Sequence, residues 1–286
     1  MKLFFTLLLL LIVQGLSAME WPSATGVITK NFGWNDRGMP HLGFSFADNG
    51  TFGAAGDSEL LFYRRQNDSA SRLPSPLGSW IALDHGDGII SIYSRFDDTQ
   101  NKSIAARVER GDVLGESGIS GWSSRRGFYF QLFDRMGRRW INPALIIRPR
   151  EDIRPPTIHS VRLIDNQGRV FDPAQTRTLV QGSYTIFVEA TDTMRFANEI
   201  PLAPHRITTL LNGREIGTLT FETFFASNGS LMASRNGHVP ARQVYAPVPA
   251  YEAAEIWLSR GQASLEIIVQ DIVGNTRNII FRFIVE

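Results

Sequence analysis

The sequence contains no cysteine. Disulfide bridges and thiolate metal sites are therefore excluded, and the folded chain depends on its apolar core for stability. Because small secreted eukaryotic domains often carry cysteines, their absence favours a bacterial envelope protein. The sequence also lacks a large charge of either sign, since 29 basic and 28 acidic residues give a formal net charge of +1. Such a balanced surface has no broad field to attract nucleic acid, and no nucleic-acid partner is expected.

The longest apolar run lies at the N-terminus of the sequence. Residues 1–18 combine one basic residue, an apolar stretch over 3–13, and small residues at Ser17 and Ala18. This layout is typical of a secretory signal peptide, and the apolar stretch is shorter than the roughly 20 residues of a membrane-spanning helix. We therefore predict a cleaved signal peptide, no membrane span after cleavage, and export to the bacterial periplasm or cell envelope. An uncleaved anchor is the alternative.

Short β-branched and aromatic runs, separated by glycine, asparagine and aspartate, make up most of the remaining chain. The run at 89–93 is one example, and the D-H-G-D-G sequence before it, at 84–88, predicts a hairpin turn. Segment 148–156 is charged and rich in proline, which indicates a linker. We predict an all-β protein with an N-terminal antiparallel β domain over 19–147 and a β-sandwich over 157–286.

The second half resembles bacterial immunoglobulin-like modules. Its resemblance rests on a strand that ends in the turn D-I-V-G-N at 271–275, and it indicates a fold without indicating a function. One helix is expected, over 251–258. Residues 224–250 are rich in glycine, asparagine and proline, and they predict a long excursion from the sandwich.

Four motifs of the first half occur in a fixed order. They are Phe32-Gly33 with GMPHLGFS at 38–45, WIALDHGDGIISIYSRF at 80–96, VERGDVLGESGISGWS at 108–123, and GFYFQLF at 127–133. In this order they resemble the LytM/lysostaphin family of peptidoglycan endopeptidases, which has FG with H-x-G-x-D, then D-H-G-x-G with Y-x-H-L, then a glycine-rich stretch, then G-P-H-L-H-F-E. The resemblance covers nearly all of the first domain and implies the antiparallel β fold of that family.

The resemblance also implies which residues would have held zinc. A catalytic zinc ion needs three protein ligands and an open position for water. Carried over position by position, the ligand His41 is present, but Ser45 replaces the ligand aspartate and Phe130 replaces the ligand histidine. The other two catalytic histidine positions become Arg95 and Phe128. We therefore predict that the zinc site is lost, that the protein has no cofactor, and that the chain is a pseudoenzyme.

No other group of residues in the sequence forms a catalytic constellation. No histidine lies between His85 and His159, so no shift of the alignment restores the H-x-H pair. The histidines after His85 lack metal-ligand spacing, and the sequence contains no nucleophile elbow, phosphate-binding loop or dinucleotide fingerprint.

The leading hypothesis from the sequence is an exported, non-catalytic LytM-like module that binds peptidoglycan or regulates a cell-wall hydrolase. A groove shaped for a peptide can still bind after its metal is lost. The candidate groove residues, all on loops around the former site, are Trp34, Asn35, Asp36, Trp122, Arg125 and Arg126. Two alternatives stay open: an active peptidoglycan metalloendopeptidase with non-standard ligands, and a structural or docking component of an envelope complex.

Overall fold

The structure is a computed structural model that describes residues 19–66, 74–97, 104–193, 200–246 and 250–286. The predicted signal peptide, 1–18, lies outside the described residues. In the described ranges the regular secondary structure is almost entirely antiparallel strand, which confirms the predicted all-β class. No helix in these ranges has both the length and the apolar composition needed to cross a membrane.

The first half consists of ten strands and one 3-10 turn, Pro143–Leu145. The strands are β1 (Val27–Lys30), β2 (Phe44–Ala47), β3 (Thr51–Gly53), β4 (Ser58–Arg64), β5 (Ser79–Asp84), β6 (Ile89–Asp97), β7 (Arg107–Val108), β8 (Val113–Ser117), β9 (Gly127–Asp134) and β10 (Arg139–Ile141). Strand β9 is central, since it pairs with β6 as well as with β2 and β10. Its residues are buried on both faces, which explains why its sequence does not alternate simply between apolar and polar.

The second half consists of eleven further strands and the short helix α1 (Ala241–Val244). The strands are β11 (Thr157–Asp165), β12 (Val170–Phe171), β13 (Thr178–Leu179), β14 (Gly182–Thr191), β15 (Arg206–Leu211), β16 (Arg214–Ser227), β17 (Ser230–Arg235), β18 (His238–Pro240), β19 (Tyr251–Leu258), β20 (Gly261–Gln270) and β21 (Thr276–Val285). Strands β12, β11, β14 and β19 form one sheet, which packs against a second sheet that contains β15, β16, β20 and β21. Whether this two-layer arrangement is immunoglobulin-like stays a prediction.

The expected helix over 251–258 is wrong, because these residues form strand β19. Opposite β19, Ile186 pairs with Ala254 whereas Phe187 pairs with Glu252, so Ala253 is the extra residue of a β-bulge. The bulge buries Ala253 and Ala254 together and breaks the alternation that would have identified a strand. Alanine and glutamate favour helices, and here sheet packing overrides that preference.

Residues 224–250 form an ordered part of the fold in their described portion. Strand β16 continues to Ser227, turns through Asn228 and Gly229, and returns as β17. Both turn residues have positive φ, 48° and 73°, which explains why this segment is rich in asparagine and glycine. Phe224 and Tyr245 are buried, so the segment belongs to the core.

One sheet runs through both halves of the chain. Strand β10 pairs with β16 in antiparallel register, with Trp140 opposite Phe224. The ring of Phe224 also lies 5.1 Å from the ring of Phe32. Segment 148–156 follows the surface of the first half, where the Arg150 guanidinium donates hydrogen bonds to two main-chain carbonyls near residue 25. Main-chain pairing and shared packing therefore join the two halves.

Candidate functional site

The retained histidine of the predicted zinc motif, His41, is bonded within the protein. Its side chain is 8% exposed, and its Nε2 atom lies 3.0 Å from the Ser45 hydroxyl oxygen. Burial, reinforced by the positive charges of Lys30 and Arg95, lowers the pKa of His41 to about 3. The imidazole is therefore neutral near pH 7, and the Ser45 hydroxyl can donate to its unprotonated nitrogen.

The placement of Phe128 and Phe130 at the old histidine positions is wrong. Strand β2 pairs with β9 so that Ser45 lies opposite Tyr129, whereas Phe46 lies opposite Phe128. Residues opposite each other in a strand pair point to the same face, and successive residues point to opposite faces. Tyr129 therefore shares the face of Ser45, while Phe128 and Phe130 point into the core. The ring of Phe128 lies 4.7 Å from that of Phe46.

The side chains that replace the H-x-H pair are Tyr129 and Gln131. The Tyr129 ring lies 4.8 Å from the His41 ring, and the Gln131 amide donates to the carbonyl of Leu42. Aligning Gly127 with the first glycine of the family motif G-P-H-L-H-F-E places these two residues at the histidine positions, so the sequence already contained this signal. Burial raises the pKa of the Tyr129 hydroxyl well above its usual range, so this hydroxyl stays protonated.

The donor set at this position does not fit a zinc ion. Zinc in proteins is bound by neutral histidine, by thiolate or by carboxylate, and a catalytic site uses three such ligands. Here His41 has only a serine hydroxyl, a protonated phenol and an amide beside it. Among the described residues, the potential metal ligands that lie close enough together to share one ion are Asp152, Asp192 and Asp271. They lie in another part of the molecule.

Arg95 occupies the position of the family's Y-x-H-L histidine. It is the extra residue of a β-bulge, because Ser79 pairs with Phe96 while Trp80 pairs with Ser94, and its φ is 67°. Its guanidinium carbon lies 5.0 Å from the centre of the Tyr129 ring, a distance typical of a cation–π contact. The Nε atom of Arg95 is buried and has no hydrogen-bond partner in the described structure.

A cleft of about 650 Å³ opens beside Ser45 and Arg95, at the start of β9. Its lining residues are Thr29, Lys30, Asp36, Arg37, Ser45, Phe46, Ala47, Arg95, Trp122, Ser123, Ser124, Arg125, Arg126, Gly127 and Phe128. The cleft thus brings together the predicted groove residues Asp36, Trp122, Arg125 and Arg126. The indole of Trp122 is 78% exposed, which is unusual for so large an apolar side chain.

Asn35 and Trp34 are not among the residues that line this cleft; the assignment of Asn35 to the groove is wrong, and that of Trp34 stays a prediction. Asn35 is 7% exposed, and its amide donates to the carbonyls of Ala246 and Ala250. The hydroxyl of Tyr245 donates to the Gly33 carbonyl beside it. This loop therefore contacts the second half of the chain, a contact that the sequence of the loop alone could not indicate.

The charges of the cleft are predominantly positive. Partial burial acts to raise the pKa of Asp36. The hydrogen bond of 2.6 Å that Asp36 accepts from Lys30, together with the Lys30 charge, outweighs this effect and keeps the pKa of Asp36 below its usual value. Arg126 forms an ion pair of 2.9 Å with Asp97. The three remaining cations, Arg37, Arg95 and Arg125, have no carboxylate within ion-pair distance in the described part of the chain.

A second buried polar cluster joins segment 148–156 to the second half. One carboxylate oxygen from each of Asp152, Asp192 and Asp271 lies within 4.8 Å of the others. Burial, and next the negative charge of Asp271, raises the pKa of Asp192 to about 7. Asp271 caps the D-I-V-G-N turn by accepting hydrogen bonds from the backbone amides of residues 273, 274 and 275. The sequence indicated the acidic turns but not their contact with Asp152.

Comparisons with known proteins give two kinds of match. No curated protein matches the chain. A family model matches residues 155–286, which is somewhat less than half of the sequence. Solved structures match with probability 1.00, and three of them illustrate the range of likeness.

A mutant catalytic domain of the prophage-encoded protein EnpA from Enterococcus faecalis is 18% identical, with a TM-score of 0.34 over 41% of this chain and 88% of that one. A zinc-containing peptidase from Vibrio cholerae is 19% identical, with a TM-score of 0.35 over 41% of this chain and 37% of that one. The catalytic domain of the antimicrobial peptidase lysostaphin from Staphylococcus simulans is 20% identical, with a TM-score of 0.31 over 37% of this chain and 77% of that one. The chain thus spans well under half of the Vibrio protein.

Proposed function

We propose that the chain is an exported cell-envelope protein whose LytM-like first half binds peptidoglycan without cleaving it. The observation that carries this proposal is the contact between His41 and Ser45. The Nε2 atom of His41 lies 3.0 Å from the hydroxyl of Ser45, the residue that replaces the second ligand. A serine hydroxyl keeps its proton near pH 7, so it serves the imidazole as a neutral hydrogen-bond partner and adds no negative charge for a metal.

The residues around His41 also oppose a cation. Tyr129 stays protonated, and the fixed charge of Arg95 lies on the ring of Tyr129. Without zinc, no metal-bound water can be activated for attack on a peptide bond. A cleft of about 650 Å³ is present beside Ser45 and Arg95, and this supports a role in binding.

The cleft has side chains suited to a wall fragment. Peptidoglycan offers the apolar faces of its sugar rings together with peptides that carry carboxylates. An exposed tryptophan can pack against such a ring face, and arginine guanidinium groups match carboxylates in geometry and charge. Trp122 and Arg125 present both kinds of group on the same cleft. Export, which the peptidoglycan-binding role requires, is inferred from the predicted signal peptide at 1–18.

Sedimentation with purified peptidoglycan sacculi tests the proposal. We expect the protein to pellet with sacculi, and we expect Trp122→Ala to weaken this binding by about tenfold or more, as for other aromatic hot spots. The matched control is Trp257→Ala, which removes an indole that is 59% exposed on β19 in the second half and should leave binding unchanged. Recovery of all the protein in the supernatant, as for a protein that does not bind the wall, would rule out peptidoglycan binding.

The two alternative functions give different results in the same experiment. An active metalloendopeptidase would release soluble fragments from sacculi when zinc is added, and His41→Ala would abolish the release. A docking component of an envelope complex would neither bind nor digest sacculi. Regulation of a cell-wall hydrolase is a finer form of the proposed role, and it would appear as faster digestion when a hydrolase is added together with this protein.

A further inference from the structure

Arg95 is the cleft residue with the clearest unmet interaction. Its Nε–H is buried and has no acceptor among the described residues. Arg95 also lines the cleft, and in the described part of the chain it has no carboxylate within ion-pair distance, so its guanidinium is available to pair with an anion in the cleft. The β-bulge at Arg95 imposes a positive φ that arginine rarely adopts, and it directs the guanidinium over the ring of Tyr129.

The surroundings of Arg95 select an anion. Asp36, the carboxylate that lines the cleft, is already bonded to Lys30. Arg37 and Arg125 add exposed positive charges on the same cleft, and neither has an ion-pair partner in the described structure. Cations gathered in a concave site concentrate anions there.

A guanidinium suits a carboxylate, the anionic group that a wall peptide offers. The guanidinium carbon of Arg95 lies 5.0 Å from the centre of the Tyr129 ring, and a planar guanidinium offers two parallel N–H donors that match the two oxygens of a carboxylate. We propose that Arg95 binds the terminal carboxylate of a wall peptide, while Trp122 packs against the adjoining part of the same ligand. This inference rests on the proposed function, because it names the ligand group that the peptidoglycan-binding cleft recognises.

The test compares two forms of one synthetic peptide, a tripeptide that ends in D-alanine. One form has a free carboxylate and the other a C-terminal amide, so they differ only in the proposed anchor. By calorimetric titration we expect the carboxylate form to bind at least about tenfold tighter, the difference typical of a charge-assisted hydrogen-bond pair. Arg95→Gln should bind both forms equally. Arg95→Lys should recover part of the difference, because it keeps the charge and loses the paired donors.

The control variant is Arg135→Gln, which removes an exposed arginine outside the cleft. It should leave the difference in affinity between the two peptides intact. Equal affinity of the wild-type protein for both peptides would overturn the inference. So would a result in which inorganic phosphate displaces the peptide and the carboxylate form binds no tighter than the amide form. The comparison of the two peptides on the wild-type protein tests the inference even if a variant at position 95 fails to fold. Sacculus binding without a carboxylate preference would overturn only this inference, whereas failure of sacculus binding would overturn the proposed function.

Discussion

The first and second halves of the molecule each bury a polar cluster, and the two clusters respond to burial in opposite ways. In the first half, His41 lies among cations, and burial lowers its pKa to about 3. In the second half, Asp192 lies among other carboxylates, and burial raises its pKa to about 7. Burial favours the neutral form in both places, which means the unprotonated base and the protonated acid. The His41 cluster should therefore lose its stabilising contribution in acid, whereas the Asp192 cluster should lose its contribution as the pH rises.

The largest expected effect comes from removing the centre of the acid cluster. Asp271 is 1% exposed and accepts three backbone hydrogen bonds and one from the Asn275 side chain. Asp271→Ala leaves these donors without an acceptor, and we expect unfolding in urea to show a loss of about 3–5 kcal/mol. Asp172→Ala is the matched control, because this exposed carboxylate accepts one bond from the Ala174 amide and its loss should cost less than about 1 kcal/mol. Equal losses for the two variants would contradict the cap.

The histidine cluster should weaken the protein in acid. The folded-state pKa of His41 lies below its ordinary value of 6.5, so the unfolded chain binds the proton more readily. Its stabilising contribution is present above about pH 6.5 and is lost as the pH falls towards 3, by an amount on the order of a few kcal/mol. The charged groups that face it are Lys30, Arg95 and Asp36. His41→Gln should show a smaller loss of unfolding free energy between pH 6.5 and 4 than the wild type, and an identical loss would contradict the assignment.

The acid cluster should show the opposite slope. The folded-state pKa of Asp192 lies above its ordinary value of 3.8, so the folded chain keeps a proton that the unfolded chain releases. This contribution is fully present below about pH 4 and is lost as the pH rises through about 7, by at most a few kcal/mol. Asp271 and Asp152 raise the pKa of Asp192, and Arg154 opposes them.

Asp192→Asn removes this titration and keeps the oxygen that accepts from the Thr193 amide. Its unfolding free energy, measured in urea from pH 4 to pH 8, should fall less with rising pH than that of the wild type. A variant that loses stability faster than the wild type over this range would contradict the raised pKa.

The smallest expected effect comes from Ser45→Ala. The imidazole nitrogen of His41 would lose its hydroxyl partner, at a cost of about 1 kcal/mol in unfolding free energy. Thr29→Ala is a suitable control on the same cleft, because the partly exposed Thr29 hydroxyl donates only a long bond to the Ser45 carbonyl. If both substitutions are neutral, the contact between His41 and Ser45 contributes nothing to stability.

The parts of the fold that depend on local sequence were predictable. The D-H-G-D-G turn was expected, and the structure gives Gly86 and Gly88 positive φ values of 78° and 82° between β5 and β6. Glycine tolerates this conformation where other residues are strained, so the sequence carries the turn directly. The apolar run at 89–93 likewise lies within β6.

The parts that depend on strand register or on distant contacts were not predictable in the same way. A shift of one residue along β9 exchanges Phe130 for Tyr129 on the face that Ser45 shares, because side chains alternate with a period of two. The bulge at Ala253 hid a strand by removing its alternation. Asn35 looked like a groove residue, because no local pattern shows that the chain near residues 246 and 250 covers it.

The pairing of β10 with β16 has a consequence for cooperativity. Because one sheet and one core pass between the halves, neither half can lose its structure without exposing the other's strand edge and the ring of Phe224. The whole chain should therefore melt in a single transition, as two units with separate cores would not. A fragment that ends at residue 147 would carry β10 as a bare edge strand beside an uncovered Phe32, the kind of surface that leads β proteins to self-associate.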